Sequence, residues 1–114
     1  RALAIREKVL GPTHPDTARS LNNLGYLIKA QGDYESARPY YERALAIREK
    51  VLGPTHPDTA GSLNNLGTLL YAIGEYERAR PYVERALAIF EKRLGANHPT
   101  TRIVRGNLEE LERG

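Results

Sequence analysis

The sequence repeats itself every 42 residues, and that period constrains the fold more than anything else in it. Leu21-Asn22-Asn23-Leu24-Gly25 returns as Leu63-Asn64-Asn65-Leu66-Gly67, and Arg1-Ala2-Leu3-Ala4-Ile5 returns at Arg43 and again at Arg85. Residues 1–42 and 43–84 differ only at positions 19, 26, 28, 29, 31, 33, 36 and 41, so 34 of 42 are identical. A fixed period in the range of roughly 20–50 residues marks a stacked repeat protein. One such unit cannot bury its own apolar face, so successive units must pack on each other and share a continuous core. The closeness of the two copies implies recent duplication or deliberate design.

Two helices fit each unit. The first is expected over residues 15–31, where Ala18, Leu21, Leu24 and Ile28 recur at helical spacing on one side. Thr13 is the expected N-cap, with Pro15 in the first turn and Asp16 at the positive helix end. Asn97 takes the cap position in the third copy. Gly32 accepts the left-handed conformation that ends a helix, and the short turn folds the next helix back antiparallel. That second helix is expected over 34–52, with an apolar stripe of Ala37, Tyr41, Ala44, Leu45, Ile47 and Val51 and with Pro39 in its first turns. Helices over 57–73 and 76–94 repeat the pair, and a last helix over 100–113 keeps Val104, Leu108 and Leu111 as its stripe.

The fold class is therefore all-α, a right-handed solenoid of antiparallel helix pairs forming one array. Its expected parts are a partial repeat at 1–12, full repeats at 13–54 and 55–96, and a capping helix over 97–114. Arg105 and Glu109 stand where Leu21 and Gly25 stand in the first copy, which gives that last helix the polar outer face a solenoid end requires. The chain begins at Arg1 inside a repeat, so a portion of a longer protein is expected. A second helix without its partner at 1–10 would present an open apolar face to another molecule.

Composition narrows the function classes. There is no Cys, which removes disulfides, thiolate zinc sites and thiol catalysis and fits a cytoplasmic setting. No apolar run approaches the roughly 20 residues of a membrane span. The net charge is +3, but the charges alternate in sign, as in Arg48-Glu49-Lys50, which suits solvated helix faces better than a nucleic-acid stripe. His14, His56 and His98 occupy one site in successive copies, too far apart to converge on a single metal ion, and belong to the helix-start turn. No metal, cofactor or catalytic constellation is expected. Ser20 and Ser62 lack an acid–base pair nearby in sequence, and Glu109-Glu110 reads as part of a solvated end helix.

Leu21-x2-Leu24-Gly25-x2-Ile28 followed by Ala37-x3-Tyr41-x2-Ala44 resembles the tetratricopeptide repeat, and copy two gives Leu63-x2-Leu66-Gly67-x2-Leu70 with Ala79-x3-Val83-x2-Ala86. Leu replaces the usual Trp, Ile or Leu the Tyr, and Glu49 lies near the usual Pro. The 42-residue length, the Leu-Asn-Asn-Leu run and the His-Pro-Asp start look like the repeats of kinesin light chains and their bacterial relatives. The resemblance implies a protein-interaction scaffold whose first helices line a concave groove. Carried over residue by residue, the groove positions are Arg19, Asn22, Asn23, Tyr26 and Lys29 in copy one and Gly61, Asn64, Asn65, Thr68 and Tyr71 in copy two. Ile103, Gly106, Asn107 and Arg113 follow in the last helix.

Three of the five groove positions differ between the copies, against five differences in the other 37. Asn carries donors and an acceptor together, so an Asn23, Asn65 and Asn107 ladder suits the backbone of an extended peptide. An Asn inside a helix can equally bond to the neighbouring repeat, so one Asn of each pair is open to a packing role. Tyr26 and Tyr71 are candidate anchors, whereas Tyr34, Tyr40, Tyr76 and Tyr82 read as packing residues. Arg19 and Lys29 would favour an acidic or C-terminal peptide partner. Self-assembly through the open helix, or service as a rigid spacer, is the alternative, and nucleic-acid binding a weaker one.

Overall fold

The computed structural model describes residues 14–113. Five helices follow one another: α1 Pro15–Ala30, α2 Tyr34–Val51, α3 Pro57–Ile73, α4 Tyr76–Leu94 and α5 Pro99–Arg113. The expected ends agree to within one residue. The partial repeat expected at 1–12, its open face and the Thr13 cap lie outside the described residues. None of the described helices is long and apolar enough to cross a membrane.

The turns explain why the helices pair. After α1, Gly32 sits at φ 89°, its amide bonds to the Lys29 carbonyl at 2.8 Å, and the Asp33 amide reaches the Ile28 carbonyl at 3.3 Å. This double bond closure satisfies carbonyls that the helix end leaves open. Gly74 at φ 99° does the same after α3, with Glu75 bonding back to Leu70 at 2.9 Å. The helix starts correct one expectation. The histidine takes the cap, not the residue before it as expected at Asn97: His56 Nδ1 accepts the Asp58 amide at 3.0 Å. His14 and His98 do the same for Asp16 and Thr100. Proline at the first helical position has no N–H, so the next amide is the first that needs an acceptor, and an imidazole reaches it.

Pro39, expected in the first turns, is in the second turn of α2, and Pro81 is in the second turn of α4; both are on the exposed side, where the missing bond faces water.

The apolar stripes meet as expected for most residues. Ala18, Leu21, Ala44 and Ile47 form one buried cluster, with Tyr40 packed on it. A larger core joins α2 to α5 through Ala37, Tyr41, Leu63, Leu70, Val83 and Val104, among others. Val51, expected in the α2 stripe, is 45% exposed instead. Tyr40 and Tyr82 pack against the core, while Tyr34 is 37% exposed and Tyr76 44% exposed, the latter with its ring against Tyr71.

Two glycines set the helix spacing. A Cβ on Gly67 would lie 2.5 Å from Val83 Cγ2 and 3.3 Å from the Ala79 carbonyl oxygen; on Gly25 it would lie 3.0 Å from the Tyr41 ring. A side chain at Gly67 therefore forces Val83 or its helix to shift, and one at Gly25 presses the Tyr41 ring. Gly61 and Gly106 are also helical but face open space.

The apolar core runs through both joints between repeats, and the first adds a polar cluster that the second replaces with apolar side chains. Arg48 of α2 donates to Ser62 Oγ at 3.0 Å and to the Asp58 carbonyl at 3.2 Å. Burial pulls the Arg48 pKa below its ordinary value, and Asp58 opposes the shift. One period later, Phe90 replaces Arg48 and Val104 replaces Ser62, and both are buried. Buried threonines pin the linkers: Thr59 Oγ1 donates to the Gly53 carbonyl at 2.8 Å and Thr101 Oγ1 to the Phe90 carbonyl at 3.3 Å. A salt bridge of 2.8 Å joins Arg38 to Glu75 across the repeats, and Glu75 also holds Arg78. In the first copy the matching residues are Asp33 and Ser36, and there the carboxylate accepts the Ser36 amide at 3.3 Å as a helix cap. Changes at 33 and 36 thus exchange a cap for an ion-pair cluster.

Three stability outcomes follow from this packing. Gly67→Ala is expected to destabilise by about 1–3 kcal/mol through overpacking, whereas Gly61→Ala gains roughly 0.5–1 kcal/mol of helix preference; urea unfolding of both variants checks the contrast. Ser62→Ala removes the acceptor of a largely buried guanidinium and is expected to cost about 1–3 kcal/mol, read from the same curves. Hydrogen bonding to Arg38, then its charge and that of Arg78, hold the Glu75 carboxyl below its ordinary pKa. Its contribution is present above the ordinary carboxylate range and lost as pH falls through the lowered folded value. The gap in unfolding midpoint between the parent and Glu75→Gln should therefore be open at neutral pH and closed at strongly acidic pH.

Candidate functional site

The candidate positions lie on α1, α3 and α5, the helices that begin each repeat. Side chains tie these helices together. Asn22 Nδ2 donates to Ser62 Oγ at 3.4 Å, and Asn107 Nδ2 donates to Asn64 Oδ1 at 3.2 Å. The repeat period sorts the side chains into rows: Asn23, Asn65 and Asn107; Tyr26, Thr68 and Glu110; Lys29, Tyr71 and Arg113.

The two asparagines of each copy separate by role. Asn22 is 9% exposed and serves the joint between α1 and α3, so it belongs to the packing rather than to an open face. Its Oδ1 is buried with no partner among the described residues. Asn64 is half-buried and holds α5 through Asn107. Asn23 is exposed and Asn65 half-buried, and neither side chain makes a hydrogen bond among the described residues.

The remaining positions differ in what they leave free. Tyr26 is 64% exposed. Thr68 is half-buried, and its hydroxyl donates to the Asn65 carbonyl at 3.1 Å, which leaves its oxygen as an acceptor. Tyr71 packs on the core edge with its ring 5.1 Å from Tyr76 at 55°, a tilted aromatic pair that orients it. Lys29 is half-buried. Arg19 is exposed and paired with Asp16 at 3.2 Å, a solvated contact that holds it weakly. Gly61 and Gly106 contribute no side chain, and Ile103 is 64% exposed.

Thr68, Tyr71 and Asn107 come together with Glu110 and Leu111 around a hollow of about 70 Å³ between α3 and α5. Glu110 escaped the reading of the sequence because it looked like part of a solvated end helix. Its signal was positional: it lies one period after Thr68. Arg113 sits at the rim and bonds Glu110 at 2.9 Å, with both side chains more than half exposed. No set of three metal-ligating side chains gathers among the described residues. Ser62, one of the two serines considered as a nucleophile, is buried and accepts from Arg48.

The sequence profile of the tetratricopeptide repeat matches residues 1–37, 23–92 and 60–114. Among solved structures, the nearly identical tetratricopeptide-like repeats of a kinesin-light-chain-like protein from Podosopora anserina superpose with a TM-score of 0.88 at 28% identity, over 96% of this chain and 52% of that one. BtubC (BKLC) from P. vanneervenii superposes with a TM-score of 0.89 at 30% identity, over 98% of this chain and 45% of that one. The chain thus spans about half the length of these structures. No curated protein is a significant match. The fold is the all-α tetratricopeptide superhelix, and repeats of this kind generally mediate protein–protein interaction as non-catalytic scaffolds. By the matches along its whole length, the chain belongs to the tetratricopeptide repeat family.

Proposed function

We propose that this array captures an extended peptide segment of a protein partner across α1, α3 and α5. One observation carries the reading. Asn23 and Asn65 occupy the same row, reach solvent, and keep their amide groups free of internal bonds among the described residues, while Asn22 and Asn64 beside them are spent on packing. A peptide backbone offers one donor and one acceptor per residue, and a free amide side chain can engage both. Tyr26 supplies exposed aromatic area for anchoring. Lys29 and Arg19 put positive charge on α1, so an acidic side chain or C-terminal carboxylate is favoured at that end. Arg19 is available because its pairing with Asp16 is solvated.

Peptides recovered from a random 12-residue display library by the parent chain provide the test. The Asn23→Ala, Asn65→Ala double variant should keep its helical circular dichroism and bind those peptides at least about tenfold more weakly, at roughly 1 kcal/mol per hydrogen bond removed. Equal affinity in the folded variant would rule out backbone capture by this row. Sedimentation of the same samples reads the self-assembly alternative, which predicts association of the chain with itself and no peptide recovery.

A further inference from the structure

We infer that the hollow between α3 and α5 is a subsite for a basic side chain, a lysine or arginine of the captured peptide. The inference rests on the peptide-capture reading and adds the charge pattern of the partner. The lining has the chemistry of a cation site. Glu110 brings a carboxylate. Thr68 Oγ1 is left as an acceptor because its proton is given to Asn65. Asn107 donates through Nδ2 to Asn64, which leaves its Oδ1 as a further acceptor. Tyr71 contributes an aromatic ring held by Tyr76, and Leu111, 3% exposed, an apolar floor. Acceptors, a carboxylate and a ring face suit an ammonium or guanidinium, and the floor suits the methylene stem behind it.

Size agrees with this occupant. About 70 Å³ holds roughly two waters' share of volume, enough for the tip of a flexible chain. Among the described residues the carboxylate is engaged by Arg113, three residues along the same helix. That exposed pair is weak and is the kind a ligand cation displaces; Arg113 shows that a guanidinium already reaches Glu110 at 2.9 Å.

The equivalent positions between α1 and α3 are different. There Tyr26 stands for Thr68, Lys29 for Tyr71 and Thr68 for Glu110. The face is therefore positive at its α1 end and acceptor-lined at its α5 end. One and a half packed-helix spacings separate α1 from the hollow between α3 and α5, roughly 12–15 Å, which an extended peptide covers in about four residues. The partner segment is accordingly dipolar, with its acidic residue over α1 and its basic residue, about that far along, in the hollow.

Parallel library selections on the parent chain and on Glu110→Lys test this. The parent pool should be enriched in Lys or Arg at one position, and the variant pool should lose that enrichment and take up Asp or Glu. Titration of one selected peptide, with its basic residue replaced by norleucine, should show about tenfold weaker binding to the parent. Glu110→Gln should match that loss with the unmodified peptide, and Glu112→Gln, on the same helix outside the lining, should leave affinity unchanged. Peptides that bind without a basic preference, or with affinity indifferent to Glu110→Gln, overturn the subsite and leave backbone capture standing. Recovery of no peptide by the parent chain overturns both.

Discussion

The close approach of paired helices at Gly25 and Gly67 is the constraint on which the rest of the molecule depends. With no Cβ at these points, α2 packs against α1 and α4 against α3 at a distance that the Tyr41 ring and Val83 then fill. Helices held this near leave one face of each first helix for the next repeat and another for solvent. The Asn23, Tyr26 and Lys29 rows acquire a common surface only because successive pairs repeat the same approach. A side chain at Gly67 would press Val83 and the α4 backbone, and one at Gly25 the Tyr41 ring, so both pairs lose the fit on which the following repeat is positioned.

The joints show how two nearly identical units acquire different neighbours. Between the first and second repeats the apolar core is accompanied by a polar cluster, in which Arg48 and Asn22 share the Ser62 hydroxyl. A buried polar cluster is sensitive to geometry, since each missing bond leaves a desolvated group. At the last joint the same positions are apolar, with Phe90 and Val104 both buried. An apolar contact is indifferent to bond directions and tolerates a helix whose exposed side no longer resembles the earlier copies. Arg105 and Glu109 lie on that changed side, and Arg105 turns outward to Glu91 and to the Ala96 carbonyl.

Fold and site were legible to different degrees, for a physical reason. Period, helix ends and most of the core follow from local rules: apolar spacing, glycine after a helix and proline at its start. Where those rules ran out, geometry decided. Thr55 and His56 both offer side-chain acceptors near the α3 start, but Pro57 removes the first amide, and the next one lies within reach of the imidazole. Val51 keeps the helical spacing of the α2 stripe yet falls at the helix end, where no following helix covers it. The split between Asn22 and Asn23 could not be read from either residue alone. It depends on Ser62, 40 residues away. Glu110 presents the same difficulty: only its position one period after Thr68 relates it to the row, and its exposed neighbours Glu109 and Glu112 mask that relation in sequence.

Variation between copies acquires meaning from these rows. The differences at 33 and 36 convert a helix cap into a cluster around Glu75, and thereby strengthen the link from Arg38 to the second repeat. They act on the scaffold. The differences at 26 and 29 alter what the face offers, replacing a tyrosine with a threonine and a lysine with a tyrosine. The change at 29 also lets Tyr71 pair with Tyr76, so the ring beside the α5 hollow is oriented before any ligand arrives. A binding surface gains most from side chains whose conformations are already restricted, because less freedom is lost on association. The half of the face between α3 and α5 is the more restricted one: Asn107 is tied to Asn64, Thr68 to its own helix and Tyr71 to Tyr76. Asn23 and Tyr26 on α1 have no such supports among the described residues. Selectivity for a partner should therefore reside at the α5 end, and tolerance at the α1 end, even though the two repeats share most of their sequence.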